Sequence, residues 1–123
     1  MPYLEKLNTI VRNIIEPSAL ITDRDAVFPR AAIVALGDAG LLGLISATKV
    51  GGMGLGLVEA VRVIESIAQA CPSTAMVVTM HYCGTTVIEK LGADSIRREI
   101  SAGRHLTTLA WSDVGSPPSS RRE

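Results

Sequence analysis

Apolar residues recur along the first third of this chain at the spacing of helices. From Leu4 to Ile15 they fall three or four positions apart, with charged and amide side chains between them, which predicts a helix. Pro17 is expected to end or kink that helix, while Leu20 and Ile21 leave open a continuation of its apolar stripe beyond the proline. The charged residues Asp23–Asp25 are interpreted as a polar connection. A short helix is predicted with Pro29 in its first turn and Gly40 as its C-terminal stop; its apolar positions are Ile33, Val34, Leu36 and Ala39.

The middle of the chain carries the clearest helical pattern. After a glycine-rich stretch over Gly51–Gly56, which predicts a tight turn, one long helix precedes Pro72 and another follows it to about Leu91. The second of these is apolar nearly all round, so it is expected to be buried on most sides. The buried stripe of the first is predicted to consist of Leu57, Val61, Ile64, Ala68 and Cys71, widened by Val58 and Ile67.

The pattern changes near the end of the chain. Asp94–Ser101 predicts a short amphipathic helix with Ile96 and Ile100 inward and Arg97 outward. Leu106–Trp111 alternates in the manner of a strand that has no partner, and the following residues have the composition of a disordered tail. The prediction is therefore an all-α domain over residues 1–105, followed by one incipient β-strand and the tail over 106–123.

Composition excludes several classes of function. Twelve basic residues balance twelve acidic ones and only 3% of residues are aromatic, which argues against nucleic-acid binding. The uncharged run Ala70–Ile88 is too polar for a confident membrane span. Cys71 and Cys83 lie in aliphatic runs without metal-site spacing, so we expect buried, reduced thiols, no metal and a cytoplasmic protein.

Six short segments of the chain form a recognisable pattern. They are Phe28-Pro29, Leu36–Gly43, the Gly51–Gly56 turn, Val63–Ala68, Leu91–Glu99 and Ser101-Ala102-Gly103. Their order resembles the acyl-CoA dehydrogenase family. The resemblance covers about residues 4 to 116, and implies the family's N-terminal helical domain plus the opening strand of its middle β domain. The chain is accordingly expected to be a truncated piece of a longer enzyme.

The resemblance also implies flavin adenine dinucleotide (FAD) as cofactor. Trp111 and Ser112 fall where the family contacts the flavin ring, and Ser116 where it helps to hold the pyrophosphate. Asp113 and Val114 replace the family's Glu and Pro there, and Pro117-Pro118 departs from its pattern, so pyrophosphate binding is the weaker expectation. From the residues alone, this segment is an ordinary turn.

The long helix after Pro72 borders the acyl pocket in the family. By this resemblance, Met76, Thr79, Met80 and Cys83 are predicted to contact the substrate, an acyl-CoA thioester or another small molecule. His81 is the first titratable side chain in the uncharged part of that helix, and Tyr82 follows it directly. Imidazole is the usual general acid or base near neutral pH. His81 is therefore a candidate catalytic residue. The alternative is a core histidine that hydrogen-bonds a backbone group or a threonine. For the methionine and cysteine positions, the alternative is packing in the core.

Three functions remain open from the sequence. The first is a fragment of an FAD-dependent, homo-oligomeric acyl-CoA dehydrogenase, which introduces an α,β double bond into the acyl thioester. The family's catalytic carboxylate lies in a C-terminal bundle, so the 123-residue chain is expected to be inactive and unable to retain FAD. The second is a flavin-dependent monooxygenase of the same fold, and the third is a non-catalytic helical interaction module.

Overall fold

Six α-helices pack around one aliphatic core in residues 1–110, the part of the chain that the computed structural model describes. Short 3₁₀ turns at Leu41–Gly43 and Thr48–Val50 connect the third helix to the fourth. This confirms the all-α fold class. The helices are α1 (Pro2–Ile10), α2 (Glu16–Asp25), α3 (Arg30–Asp38), α4 (Leu57–Ala70), α5 (Pro72–Leu91) and α6 (Asp94–Ser101).

α1 and α2 form one continuous helix, joined by a π-helical segment over Val11–Ile15. The prediction that Pro17 ends or kinks the helix overlooked this wider turn, which accommodates a residue that lacks an N–H group. The N–H of Glu16 donates to the carbonyl of Val11, five residues earlier. The charged residues Asp23–Asp25 are therefore the last turn of α2 and not a connection, and Ala26 ends it in the left-handed conformation.

The core is built from aliphatic side chains, because the chain has few aromatic ones. Fully buried leucine and isoleucine residues come from α1, the π-helical segment, α3, α4 and α6, and three of them, Leu41, Leu42 and Leu44, lie in the irregular connection between α3 and α4. That connection therefore acts as a core element. The largest buried aliphatic side chains are Leu7, Ile15, Leu36, Leu41, Leu42, Leu44, Ile67 and Ile100.

The buried face of α4 differs from the predicted stripe. Ala60, Val63 and Ile67 are buried, whereas Leu57 and Val61 are 69% and 60% exposed. Apolar residues cover more than half of the circumference of α4, so periodicity alone does not indicate which part of that arc the neighbouring helices will cover. The glycine-rich turn before α4 is confirmed as irregular backbone.

α5 is buried on one face only, which corrects the expectation that it is covered on most sides. Thr74, Val78 and Thr85 are buried, while Met76 is 61% exposed on the opposite face. The reason is that α4 and the connection Leu41–Leu44 both pack against the buried side of α5, which leaves the side that carries Met76 uncovered by them. Both cysteines are free, but only Cys71 is buried as predicted, and Cys83 is exposed.

α6 orients two side chains against expectation. Ile100 is fully buried, as predicted, but Ile96 is 38% exposed and Arg97, predicted to face outward, is buried. Arg97 makes ion pairs with Glu89 of α5 and with Asp94 in the first turn of its own helix. A guanidinium group can be buried in this way because its charge and its hydrogen-bond donors find partners there.

The predicted strand is not present in the described part of the chain. Residues 104–110 run as extended, irregular backbone with alternating exposure, and none of residues 1–110 belongs to a strand. A β-strand needs a neighbour to accept its hydrogen bonds, and these residues lie against a helix instead. We call residues 104–110 the strap. The end of the predicted strand, Trp111, lies outside the described residues.

Candidate functional site

An apolar cavity of about 290 Å³ lies between the outer face of α5 and the strap. Two methionines, Met76 and Met80, contribute the α5 side, and Phe28 from the connection between α2 and α3 closes another side. The strap supplies two hydroxyl groups, so the lining is apolar with a small polar component. Its residues are Phe28, Met76, Val77, Met80, Leu106, Thr107 and Thr108.

A wider groove of about 550 Å³ lies between α1 and α3. Charged side chains, Glu5, Lys6 and Asp38, form part of its lining, and none of the predicted site residues that the structure describes lines it. Small-molecule sites in proteins are mostly apolar, with few well-placed polar groups. The smaller cavity beside α5 fits that description better, so we take it as the candidate functional site.

The structure separates the four predicted substrate residues into two pairs. Met76 and Met80 line the cavity, as a spacing of one helical turn requires. Cys83 lies one turn further along the same exposed face, beyond the cavity lining. The hydroxyl of Thr79 donates to the carbonyl of Ala75 within α5 and is not part of the lining.

His81 lies on the opposite, buried face of α5, with none of its surface exposed. Its Nε2 is 2.8 Å from the carbonyl oxygen of Leu42, and its Nδ1 is 3.1 Å from the backbone nitrogen of Thr107. Because Nδ1 accepts from an N–H group, Nε2 must carry the proton that it donates to Leu42. This arrangement matches a core histidine, as both ring nitrogens are already hydrogen-bonded and neither is free to take a proton from a substrate.

The electrostatics of His81 favour the neutral imidazole. Burial lowers its pKa below the usual histidine range; the Leu42 carbonyl acts in the opposite direction and the nearby His105 adds to the lowering. Next to it, Tyr82 donates to the carbonyl of Leu41, and burial raises the pKa of its phenol. Two successive residues of α5 therefore hold two successive carbonyls of the turn Leu41–Gly43.

Gly84 allows the strap to lie directly on α5. A Cβ atom at this position would be 2.8 Å from the carbonyl oxygen of Thr108 and 2.9 Å from Cγ2 of Thr107. These separations are shorter than ordinary van der Waals contact, so the strap occupies space that only a glycine leaves open. The strap therefore contacts α5 at His81, one turn after Val77, and at Gly84. We call His81 and Gly84 the seat of the strap.

Sequence reasoning missed several parts of this site. Phe28 was noted only as part of the family pattern, although it is the single phenylalanine of the chain and large aromatic side chains commonly line ligand sites. The seat at Gly84 had no signal, because a glycine within a long apolar helix is also compatible with simple packing. The predicted flavin contacts Trp111, Ser112 and Ser116 lie outside the described residues.

The cavity presents an apolar surface suited to binding. Within residues 1–110, the side chains that line it include no acidic, basic or thiol group. Among residues 1–110, no three histidine, cysteine or carboxylate side chains are grouped closely enough to hold a metal ion. No helix in the same part of the chain is both long enough and apolar enough to cross a membrane. The fold and site together define a helical domain with an apolar binding surface.

Comparison with known proteins places this domain in a family. Residues 3–103 match the family model for the N-terminal domain of acyl-CoA dehydrogenases, and the chain belongs to the acyl-CoA dehydrogenase family. A similar relative is the 3-sulfinopropanoyl-CoA desulfinase of Advenella mimigardefordensis, which is 32% identical over 84 residues, 68% of this chain and 19% of that protein. The enzyme of the same name from Variovorax paradoxus is 38% identical over 55 residues, 45% of this chain and 14% of that protein.

A solved structure shares the fold. It belongs to a study of the electron transferring flavoprotein of Acidaminococcus fermentans and of flavin-based electron bifurcation. The superposition has a TM-score of 0.75 at 19% sequence identity, and covers 85% of this chain and 29% of the other. The chain thus spans about a fifth or less of the length of the curated relatives that it matches.

Proposed function

We propose that this chain is the N-terminal domain of an FAD-dependent acyl-CoA dehydrogenase-type oxidoreductase, and that it supplies one apolar wall of the acyl-thioester site. The observation that carries the proposal is the cavity in which Met76 and Met80 of α5 meet the strap. The strap leads within one residue to Trp111, the position that the family resemblance assigns to the flavin. Acyl group and flavin would therefore meet at adjacent parts of one surface.

The chemistry of the lining supports an acyl group as the ligand. Methionine side chains are flexible and polarisable, so they adapt to alkyl chains of different shape. The hydroxyl groups of Thr107 and Thr108 are the polar side-chain groups of the lining, and they suit a thioester carbonyl better than a charged headgroup. The α,β-dehydrogenation itself belongs to the flavin and a catalytic carboxylate, neither of which this domain provides in the family.

Methionine-methyl NMR tests the binding surface directly. The four methionines of the chain are Met1, Met53, Met76 and Met80, so a chain labelled at the methionine methyls gives four assignable signals. On titration with an alkanoyl-CoA we expect the Met76 and Met80 methyls to shift and the other two to remain in place. Unacylated coenzyme A is the control, and equal shifts of all four methyls would contradict the proposal.

A matched pair of substitutions strengthens this test. Met80→Asp places a carboxylate in the apolar lining, so we expect alkanoyl-CoA to bind about ten-fold more weakly or worse. Cys83→Asp places the same group one turn further along the exposed face, outside the lining, and should leave the dissociation constant unchanged. An equal loss of binding in both variants would show that the acyl group lies elsewhere on α5.

The two desulfinase relatives favour a second candidate, removal of a sulfinate group from an acyl-CoA. The apolar cavity distinguishes the two candidates by the ligand tail. In the same NMR titration, we expect an alkanoyl-CoA to bind more tightly than 3-sulfinopropanoyl-CoA, whose tail is anionic. The reverse order would favour a desulfinase-like substrate. The monooxygenase and interaction-module alternatives have no comparable support in the described residues.

Flavin retention is a separate prediction. In the family, FAD lies between the middle and C-terminal domains, so we expect the purified 123-residue chain to show no stoichiometric flavin absorbance. Trp111 is the single tryptophan, and its fluorescence reports on the proposed contact when FAD is added. Stoichiometric yellow protein would contradict the prediction. We also propose that the full-length enzyme is a homo-oligomer and is located in the cytoplasm.

A further inference from the structure

We propose that His81 is a positioning residue for the cavity: its neutral imidazole ties the strap to α5, and its protonation releases the strap. The proposal rests on the proposed function only in taking the cavity as the acyl site. It concerns how one wall of that cavity is held, and gives a structural role to a buried histidine that has no free nitrogen for catalysis.

The hydrogen bonds of His81 require one specific form of the ring. Nδ1 accepts from the backbone N–H of Thr107 at 3.1 Å, and Nε2 donates to the carbonyl of Leu42 at 2.8 Å. Protonation adds a hydrogen to Nδ1. The N–H of Nδ1 and the backbone N–H of Thr107 are then two donors that face each other, and neither can accept a hydrogen bond. The bond to Leu42 survives protonation, whereas the bond to the strap is replaced by repulsion.

This bond has no substitute in the described part of the chain. It is the only backbone hydrogen bond that residues 105–110 make to the helices there. Arg104 anchors the start of the strap through Glu99, in both a backbone hydrogen bond and an ion pair, but this anchor precedes the cavity lining. Thr107 lies in the middle of the lining, so releasing its N–H frees Leu106 and Thr108 as well.

Gly84 provides the second half of the seat. The absence of a side chain at Gly84 leaves a space on the surface of α5, which we call the notch. The carbonyl of Thr108 and the side chain of Thr107 lie in this notch. The hydrogen bond to His81 therefore sets the orientation of the strap, and the notch sets how closely the strap approaches α5. Both contacts set the width of the cavity, because Met76 and Met80 project from the same helix that carries the seat.

The sign of the pH dependence follows from burial. Burial is the largest influence on His81 and lowers its pKa, so the neutral, tied form is present at and above neutral pH. The strap is released as the pH falls below the usual histidine range, through that lowered pKa. The neighbouring charged group on the strap is His105, and its charge lowers the pKa further; Tyr82, on α5, remains neutral throughout.

Amide hydrogen exchange of Thr107 tests the proposal without any ligand. At neutral pH we expect this amide to be protected, and acidification through the His81 titration to reduce the protection about ten-fold after correction for intrinsic exchange. The amide of Ile67, in the core of α4, should stay protected over the same range and shows that the fold persists. Constant Thr107 protection across that titration would overturn the proposal.

Two substitutions separate the ring nitrogens. His81→Asn places an acceptor near the position of Nδ1, so we expect it to keep the protection of Thr107 and to remove its pH dependence. His81→Gln places a donor near the position of Nε2, and should leave Thr107 unprotected at every pH. Equal protection in the two variants would contradict the proposal. His105→Gln is the control, and should retain a pH-dependent Thr107 amide.

A further variant keeps the test decisive if the buried histidine cannot be replaced without unfolding. Gly84→Ala fills the notch and leaves His81 in place, so it should expose the Thr107 amide while Ile67 stays protected. Since no experiment in this set uses acyl-CoA or FAD, the two proposals fail separately. Loss of methionine-methyl shifts would remove the acyl site alone, and an unchanged Thr107 amide would remove the positioning role alone.

Discussion

Gly52→Ala is expected to destabilise the domain more than any other single methyl group added to it. A Cβ atom at Gly52 would overlap the carbonyl group and the Cβ of Ser46, a residue with none of its surface exposed. The overlap involves backbone, so a side-chain rotation cannot relieve it. We expect a loss of about 3 kcal/mol or more in the free energy of unfolding, measured by urea denaturation.

Gly56→Ser is the matched control from the same loop. Gly56 precedes the first turn of α4, and its N–H donates to the carboxylate of Glu59 at 3.0 Å. A serine hydroxyl there would complete a reciprocal pair of caps, so we expect an unchanged or slightly higher stability, by about 0.5 kcal/mol. If both variants were equally destabilised, the cause would be the flexibility of the loop and not the contact with Ser46.

Arg97→Met is expected to produce the second large loss of stability. Nη2 of Arg97 is 2.8 Å from Oε2 of Glu89 in α5, and its Nη1 is 2.8 Å from Oδ1 of Asp94. The Glu89 carboxylate also accepts a hydrogen bond from the backbone N–H of Ala47. Arg97 and Glu89 together thus connect α6, α5 and the connection before α4. The Glu89 side chain is mostly shielded from solvent, so removing Arg97 leaves its carboxylate without a positively charged partner. We therefore expect the midpoint temperature of unfolding to fall by on the order of 10 °C.

Arg104→Met provides the comparison. Arg104 pairs with Glu99 at 2.6 Å, but both side chains are exposed, and exposed pairs add little to stability. We expect its midpoint to stay close to that of the unsubstituted chain. Equal midpoints for the two variants would show that burial of the Arg97 cluster adds nothing beyond an exposed pair.

The Arg97 cluster also has a defined pH dependence. The hydrogen bond from Arg97 lowers the pKa of Glu89 below its ordinary value. A group whose pKa is lowered by folding stabilises the folded state above its unfolded pKa and loses that effect as the pH falls through the folded value. We therefore expect the difference in midpoint between the chain and Arg97→Met to shrink below about pH 4.5, the ordinary range of glutamate.

The helices α3, α4, α5 and α6 were predictable because each has local signals that do not depend on its neighbours. Gly40 ends α3 in the left-handed conformation, as predicted, and α6 occupies the predicted range. The π-helical turn before Pro17 was not predictable, since it depends on how the continuous helix α1–α2 packs against α3 and α4. The same reason explains why Leu57 was predicted to be buried and is exposed.

The candidate site was predictable in part. Met76 and Met80 were selected by their place in the family pattern, and the structure puts both in the cavity lining. The role of His81 was left open between catalysis and core packing, because a sequence does not show what each ring nitrogen contacts. The partner that decides between them, Thr107, is 26 residues away along the chain.

By itself, the sequence determined most helices of an all-α domain, because helix periodicity, caps and turn glycines are local properties of the chain. The order of its segments indicated the acyl-CoA dehydrogenase family by resemblance. The tertiary structure decided which part of each apolar arc is covered, that Arg97 is buried, and that the strap lies on α5 without pairing as a strand. These outcomes depend on contacts between distant residues, such as Gly84 with Thr108 and Glu89 with Arg97. Their free energy comes from packing and desolvation of a particular surface, which residue spacing along one chain does not encode.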